Sequence, residues 1–361
     1  MEKAIAANDQ LIHNTEIFVV DNHSTDESIE YLQNKFQRIK FIDNEENTGF
    51  AKANNLALSK AIGKYILFLN PDTIIAEDSI ATCISFMESK LRAGAVGVRM
   101  IDGHGDFLKE SKRGFPSPWA AFCKLSGLTA AFSHSRLFAS YYLGHLSEHE
   151  NNPVAILSGA FMVIRKEVLD KTGGFDEQFF MYAEDIDLSY RIQQAGFVNY
   201  YIADTTIIHF KGESTKKNLQ YVKLFYKAMD QFMRKHINGP SLFLFFMKMA
   251  VWFRSRLASV AYLFHRKDKN KKYHQSFLEG DKKNIDQLKP LLPTIGRTIA
   301  PNAEESDEII LCEGDRFSFK EIIEQIQQKK QLVSIKIHAA NSHSIVGSDY
   351  KDRNGESIAI D

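Results

Sequence analysis

Only three cysteines occur in 361 residues, and Cys83, Cys123 and Cys312 are scattered. They form neither a disulfide framework nor a cluster with metal-ligand spacing, which fits a reducing compartment. Net charge is also absent. The 45 lysines and arginines balance 45 aspartates and glutamates, so global charge predicts no nucleic-acid partner. The segment after Met1-Glu2-Lys3-Ala4 has no apolar signal core, which speaks against secretion. No Gly-x-x-x-x-Gly-Lys phosphate loop is present, so a nucleotide hydrolase of that type is disfavoured. The most apolar run, Leu242 to Phe264, is broken by Lys248, Arg254 and Arg256. Each costs roughly 2.5–3.5 kcal/mol at mid-membrane. Lys248, Ser255, Arg256 and Ser259 share one arc of a helix, so the run reads as lying in a membrane interface. The basic residues from Arg266 to Lys283 would attract anionic lipid. A helix packed on the main domain with a solvated basic tail is the alternative.

What is present is an alternation of strand and helix patterns. Glu16–Val20, Ile39–Ile42, Tyr65–Leu69 and Ala95–Val98 read as strands. Helices are expected from Ser24-x-x-Glu27, a capping box, to about Phe36, from Gly49 to Ala61, and from Glu77 to Leu91. Such alternation predicts an α/β sheet with parallel pairing. Ligands of such sheets bind beyond the strands' carboxyl ends, where Asp21, Asn47 and Asp72 fall. Residues 104–153 carry aromatics and little periodicity and read as a lid or insertion. Val154–Arg165, Val198–Ile202 and Thr206–His209 read as strands, and Gln220–Lys235 as a helix. Three parts are expected: a main domain over 1–236, an interfacial helix and basic linker over 237–289, and a small α/β appendix over 290–361.

The densest chemistry lies in Phe180-Met181-Tyr182-Ala183-Glu184-Asp185-Ile186-Asp187-Leu188. Glu184, Asp185 and Asp187 crowd the first turn of an amphipathic helix, where the dipole favours anions. An ionised, positioned carboxylate is what a general base requires, although acids also simply favour first turns. Asp72, after Asn70-Pro71 at a strand end, and His209, closing Ile207-Ile208-His209, are candidate cation ligands. Each has a plain structural alternative. Small residues around Asn47-Thr48-Gly49-Phe50-Ala51-Lys52-Ala53-Asn54-Asn55 would let a ligand reach a helix N-terminus, or serve packing. Lys216, in the polar loop after His209, would neutralise a diphosphate or stay solvated.

In order along the chain stand Val19-Val20-Asp21-Asn22-x-Ser24-x-Asp26, Asn47-x-Gly49-Phe50-Ala51-x-Ala53-Asn54, Leu69-Asn70-Pro71-Asp72, Ser158-Gly159-Ala160-Phe161, Gly173-Gly174-Phe175-Asp176 with Glu184-Asp185-x-Asp187, and His209 with Gly212-Glu213-Ser214. This ordered set resembles family 2 inverting glycosyltransferases over roughly residues 1 to 236. The Asn-Pro-Asp version resembles the rhamnosyltransferase-like branch that builds bacterial surface polysaccharides. The resemblance implies a GT-A-type nucleotide-diphospho-sugar transferase fold, a Rossmann-like mixed sheet flanked by helices. It implies Asp185 as catalytic base with Glu184 beside it in the acceptor site. It implies a donor site at Asp21, Asn22, Asn47, Gly49, Ala53, Asn54, Asn70, Asp72 and Lys216. Asp72 and His209 would hold Mg²⁺ or Mn²⁺; Asn70 stands where the family's Asp-x-Asp motif has its first acid, so one charge is absent.

The implied reaction is inverting transfer from a nucleotide sugar such as dTDP-rhamnose to a hydroxyl of a lipid-linked saccharide. The implied place is the cytoplasmic face of the cell membrane, as a peripheral protein at the membrane surface. Family members begin with an apolar strand that this sequence lacks, which predicts impaired folding or activity. A nucleotide-sugar-binding scaffold of polysaccharide assembly is therefore the alternative.

Overall fold

The computed structural model describes residues 1–26, 28–210, 219–236, 274–329, 334–348 and 356–360. The helix expected at 242–264 lies outside them, as does Lys216. The first part contains α1 (Glu2–Ala6), α2 (Asp9–Asn14), β1 (Phe18–Asp21), α3 (Ser28–Lys35), β2 (Lys40–Asp43), α4 (Phe50–Leu58), β3 (Tyr65–Leu69), β4 (Thr73–Ile75), α5 (Ser79–Ser89) and β5 (Ala93–Ile101). Then follow α6 (Pro118–Leu125), α7 (Leu128–Ala131), β6 (Asn152–Val154), β7 (Phe161–Arg165), α8 (Lys166–Thr172), α9 (Glu184–Gln194), β8 (Val198–His209) and α10 (Leu219–His236).

The main sheet has the order β3-β7-β5-β8-β4, with β6 also on β8. All nine residues of β5 are buried, as expected of a strand covered on both faces. The sheet is mixed, not parallel throughout. β5 and β8 are parallel, while β7 is antiparallel to both β3 and β5. The long excursion after β5 re-enters the sheet at the same end that β5 leaves, so no right-handed crossover is imposed. Val154–Arg165 is accordingly two short strands, β6 and β7, split by the turn Ser158-Gly159-Ala160. Val198–His209 is one strand, whose register against β5 shifts between Ile202 and Thr206.

β1 and β2 pair only with each other among the described strands, Phe18 opposite Lys40 through Asp21 opposite Asp43. β3 is a terminal strand of the main sheet. Ser24 donates its N–H to Asp21 Oδ2 at 3.0 Å and its hydroxyl to Oδ1. Glu27, the other half of the capping box expected there, lies outside the described residues, and α3 is described from Ser28.

A second six-stranded sheet follows, with the order β10-β9-β11-β12-β13-β14. Its strands are β9 (Gln275–Gly280), β10 (Thr298–Ile299), β11 (Glu308–Cys312), β12 (Ser334–His338), β13 (Ser344–Gly347) and β14 (Glu356–Ala359), and its helices are α11 (Lys282–Leu288) and α12 (Phe319–Gln328). The appendix thus begins at Gln275 and not at 290, because β9 pairs in parallel with β11 from Ser276 to Gly280. α12 opens with a full capping box, Ser318 with Glu321, and its apolar side is buried against the first part. Ala76, Ile101 and Ile208 share one core cluster with Leu311, Ile322 and Ile326. Glu77 accepts from the amides of Phe319 and Lys320 at 2.8 and 2.9 Å, and Arg99 donates to Gln327 at 2.6 Å.

Candidate active site

The turn Ser158-Gly159-Ala160 ties together the loops that carry the candidate residues. Ala160 accepts from the amide of Asn70 at 2.9 Å, and Gly159 donates to Asp185 Oδ2 at 3.2 Å. Asn70-Pro71-Asp72 and Asp185 are therefore hung from adjacent residues of one turn. Asp185 Oδ2 also accepts from Arg113 at 2.6 Å. Among the described residues no hydrogen bond reaches Oδ1, so one oxygen is fixed and the other is available. Burial opposes the charge of Arg113, but Asp185 and Tyr141 outweigh it and hold the guanidinium protonated.

The three acids of α9 meet three different environments. Glu184 is buried, and its Oε2 has no hydrogen-bond partner among the described residues. Burial, reinforced by the charge of Asp185, pushes its carboxyl up to about 8 from the ordinary 4.5. It is thus a neutral acid at pH 7, beside a carboxylate held by an arginine, and the base role falls to Asp185. Asp187 is fully buried. Burial alone would raise its carboxyl, but bonds from His236, Lys235 and Arg191 hold it below the usual range. Its partners stand at 2.6, 2.7 and 2.6 Å. Arg191 also donates to Gly174 O at 2.8 Å and to Thr172 O. Asp187 therefore fastens α10 and the Gly173-Gly174 turn to α9. Just before α9, Tyr182 and Ala183 both have left-handed backbone, φ 68° and 66°. Strain of this kind in non-glycine residues concentrates at functional sites.

The environment of Glu184 sets a pH dependence. An acid whose folded value lies above its unfolded one adds nothing at low pH, where both states are protonated. As pH rises from about 4.5 to about 8, the unfolded chain ionises and the folded chain does not, so stability falls. Glu184→Gln removes that loss, on the order of a few kcal/mol. Urea unfolding of both proteins at pH 5 and pH 8 should show the variant gaining on the parent at the higher pH. Equal spacing at both pH values would contradict a protonated Glu184.

The donor-side residues are stitched around Asn22. Its amide donates to Asn47 Oδ1 at 2.9 Å and to Gly49 O at 3.3 Å, and its Oδ1 accepts from Thr48 N at 3.0 Å and Asn44 at 3.2 Å. The amides of Gly49 and Phe50 are taken by Asn47 Oδ1 at 3.0 Å and Phe180 O at 2.9 Å, and Ala51 and Ala53 are buried. The small residues here are closely packed. A Cβ on Gly49, at φ 84°, would lie 2.6 Å from Phe180 O. Asn54 donates to Phe50 O within its own helix at 2.9 Å. Asp21, nearly buried at the end of β1, is engaged by Ser24.

The structure brings Asp72 and His209 together. Their strands pair, Thr73 opposite His209, and Phe210 donates to Asp72 O at 3.0 Å. His209 Nε2 stands 3.2 Å from Asp72 Oδ1, without hydrogen-bond alignment. Asp72 Oδ1 and His209 Nδ1 are buried and unsatisfied among the described residues. These donors fit a divalent cation whose other positions come from diphosphate oxygens and water. Among the described residues no group of three or more candidate ligands exists, so these residues alone do not form a full cage.

Two residues escaped the sequence pattern. Arg113 lies in the stretch read as a lid, and nothing in Lys112-Arg113-Gly114 marks it as the partner of an acid 72 positions later. Asn55 donates to Phe175 O at 2.8 Å and accepts from Phe175 N at 3.0 Å, locking α4 to the turn before the acidic helix. Its only sequence signal was its place beside Asn54.

The family profile of "Glycosyl transferase family 2" matches residues 2–173. An N-acetylglucosaminyl-diphospho-decaprenol L-rhamnosyltransferase of Mycobacterium tuberculosis is 24% identical over 220 residues, 56% of this chain and 68% of that protein. Rhamnosyltransferase WbbL of Escherichia coli K12 is 31% identical over 169 residues, 45% of this chain and 61% of that protein. Among solved structures, a mannosyltransferase of Pyrobaculum calidifontis with GDP-Man and Mn2+ aligns at a TM-score of 0.43 and 16% identity, over 73% of this chain and 72% of that one. The mixed sheet flanked by helices agrees with the architecture that the resemblance implies. Matched motifs and matched profile agree over residues 2–173, where the chain is similar to glycosyl transferase family 2.

Proposed function

We propose that the protein transfers a sugar from a nucleotide-diphosphate donor to a hydroxyl of a lipid-linked saccharide, with inversion at the anomeric carbon. One observation carries this: Asp185 is held through Oδ2 by Arg113 and Gly159 while Oδ1 stays available, on the turn that also fixes Asn70-Pro71-Asp72. Oδ1 removes the proton of the acceptor hydroxyl. That oxygen bonds to the anomeric carbon as the bond to the diphosphate breaks, and the nucleotide diphosphate leaves with the electron pair. No covalent enzyme intermediate is needed. Asp72 and His209 would hold Mg²⁺ or Mn²⁺, which when bound supplies charge to stabilise the leaving diphosphate. Glu184, kept neutral, can donate a hydrogen bond beside the base.

The rhamnosyltransferase names of two relatives favour a dTDP-rhamnose-like donor and an acceptor carried on a lipid diphosphate. A lipid acceptor, with the apolar and basic sequence between 242 and 283, favours a peripheral position on the cytoplasmic face of the membrane. Among the described residues no helix is long and apolar enough to cross one. The test is a panel of nucleotide sugars with membrane extract as acceptor source. Turnover should require Mg²⁺ or Mn²⁺ and stop with chelator; undiminished turnover in chelator would remove the metal role from Asp72 and His209. Donor binding without turnover of any sugar would favour the scaffold, to which the missing charge at Asn70 already lends weight.

A further inference from the structure

Between Glu110 and Glu148 the chain has no acidic residue, while Lys112, Arg113, Lys124 and Arg136 fall in that span. It builds a helical hairpin. Ser117 caps α6, accepting from Ala120 N at 3.1 Å with Pro118 in the first turn, and Gly127, at φ 81°, turns the chain into α7. Ala120, Cys123 and Ala139 face inward and are buried. Trp119, Phe122, Phe132 and Leu137 face outward, 42, 54, 52 and 57% exposed. Trp119 stacks on Phe122 at 5.6 Å between ring centroids. Its indole N–H is already spent on Leu137 O at 2.9 Å, so what it turns outward is apolar. Lys124, donating to Tyr142 at 2.9 Å, and Arg136 are both exposed beside this patch.

Isolated exposed apolar residues need no explanation, but four gathered on one hairpin mark an interaction surface. Aromatic rings flanked by cations and free of acids match the interfacial zone of an anionic bilayer, where rings sit among headgroups and basic residues meet lipid phosphates. The hairpin is also joined to the site. Gly114 donates to Tyr141 O at 2.8 Å, closing its base, and the neighbouring Arg113 holds Asp185. We propose that this hairpin seats in the headgroup region of an anionic membrane and brings Asp185 to the level at which a lipid-linked acceptor presents its sugar. The lipid contact is independent of the enzyme activity; its use for the acceptor rests on the function proposed above.

The test follows the hairpin alone in the full chain. Trp252→Phe leaves Trp119 as the single tryptophan. Vesicles of phosphatidylcholine with phosphatidylglycerol should shift Trp119 emission to the blue, and brominated acyl chains should quench it. Phosphatidylcholine alone should do neither. Phe122→Ser in the same background should weaken vesicle affinity roughly tenfold without changing the thermal midpoint. Vesicle-bound protein with unaltered Trp119 emission would overturn the proposal, because another segment then makes the contact. So would an absence of vesicle binding, or an equal response to the neutral lipid. No sugar transfer is measured, so failure here and failure of the proposed reaction are read separately.

Discussion

Asp185→Asn should lower turnover by about 10²–10⁴, the usual contribution of a positioned general base, while nucleotide diphosphate binding measured by calorimetry stays within twofold of the parent. The substitution keeps size and most of the geometry. The amide oxygen can still accept from Arg113 and Gly159 where Oδ2 does now, at 2.6 and 3.2 Å. The amide nitrogen then replaces Oδ1 and cannot take a proton. The donor contacts expected from the resemblance lie elsewhere, around Asn22 and Asp72, so affinity for the leaving group should persist. An Asp185→Asn protein with full turnover would end the assignment. A protein that lost donor binding and turnover together would show Asp185 to be a structural support of the site.

The largest effect on stability is expected from Asp187→Ala, about 3–5 kcal/mol by denaturant unfolding, the cost of breaking a buried ion pair by removing one partner. Lys235, His236 and Arg191 would each lose their contact with a side chain that is wholly buried. Asp187→Asn retains part of the hydrogen bonding and should fall between parent and alanine. Because these bonds depress the Asp187 carboxyl, its contribution is present above the ordinary carboxylate value and fades as the solution is acidified through the lower folded one. A loss under 1 kcal/mol in the alanine variant would mean that α10 is held by Ala228, Met229 and Phe232 alone.

These two acids show what the sequence makes legible. Strand ends were readable at Asp21, Leu69-Asn70-Pro71-Asp72 and His209, because apolar runs stop abruptly at polar residues and hydrophobic period reports local structure. The acidic helix was readable for the same reason. The separate fates of Glu184, Asp185 and Asp187 were not, since each depends on a partner far along the chain: a closed apolar environment, Arg113, and Lys235 with His236. The direction of β7 was hidden too. Phe161–Arg165 has the same pattern whether it runs with its neighbours or against them. Small residues at Gly49, Ala51 and Ala53 suggested room for a ligand; a Cβ on Gly49 would meet Phe180, and Ala51 and Ala53 are buried. Nothing in the periodicity of α12 told which surface its apolar side would meet.

That surface is the underside of the paired strands β4, which starts just after Asp72, and β8, which ends at His209. Ile322 and Ile326 rest against Ile101 and Ile208, and Glu77, five residues past Asp72, crowns the start of the same helix. The chain therefore has no clean seam between its chemistry-bearing half and its later half. Separating them would leave a greasy scar beneath Asp72 and His209 and strip two amides of their carboxylate cap. Substitutions buried in α12 are thus expected to reach Asp72 and His209 through that packing.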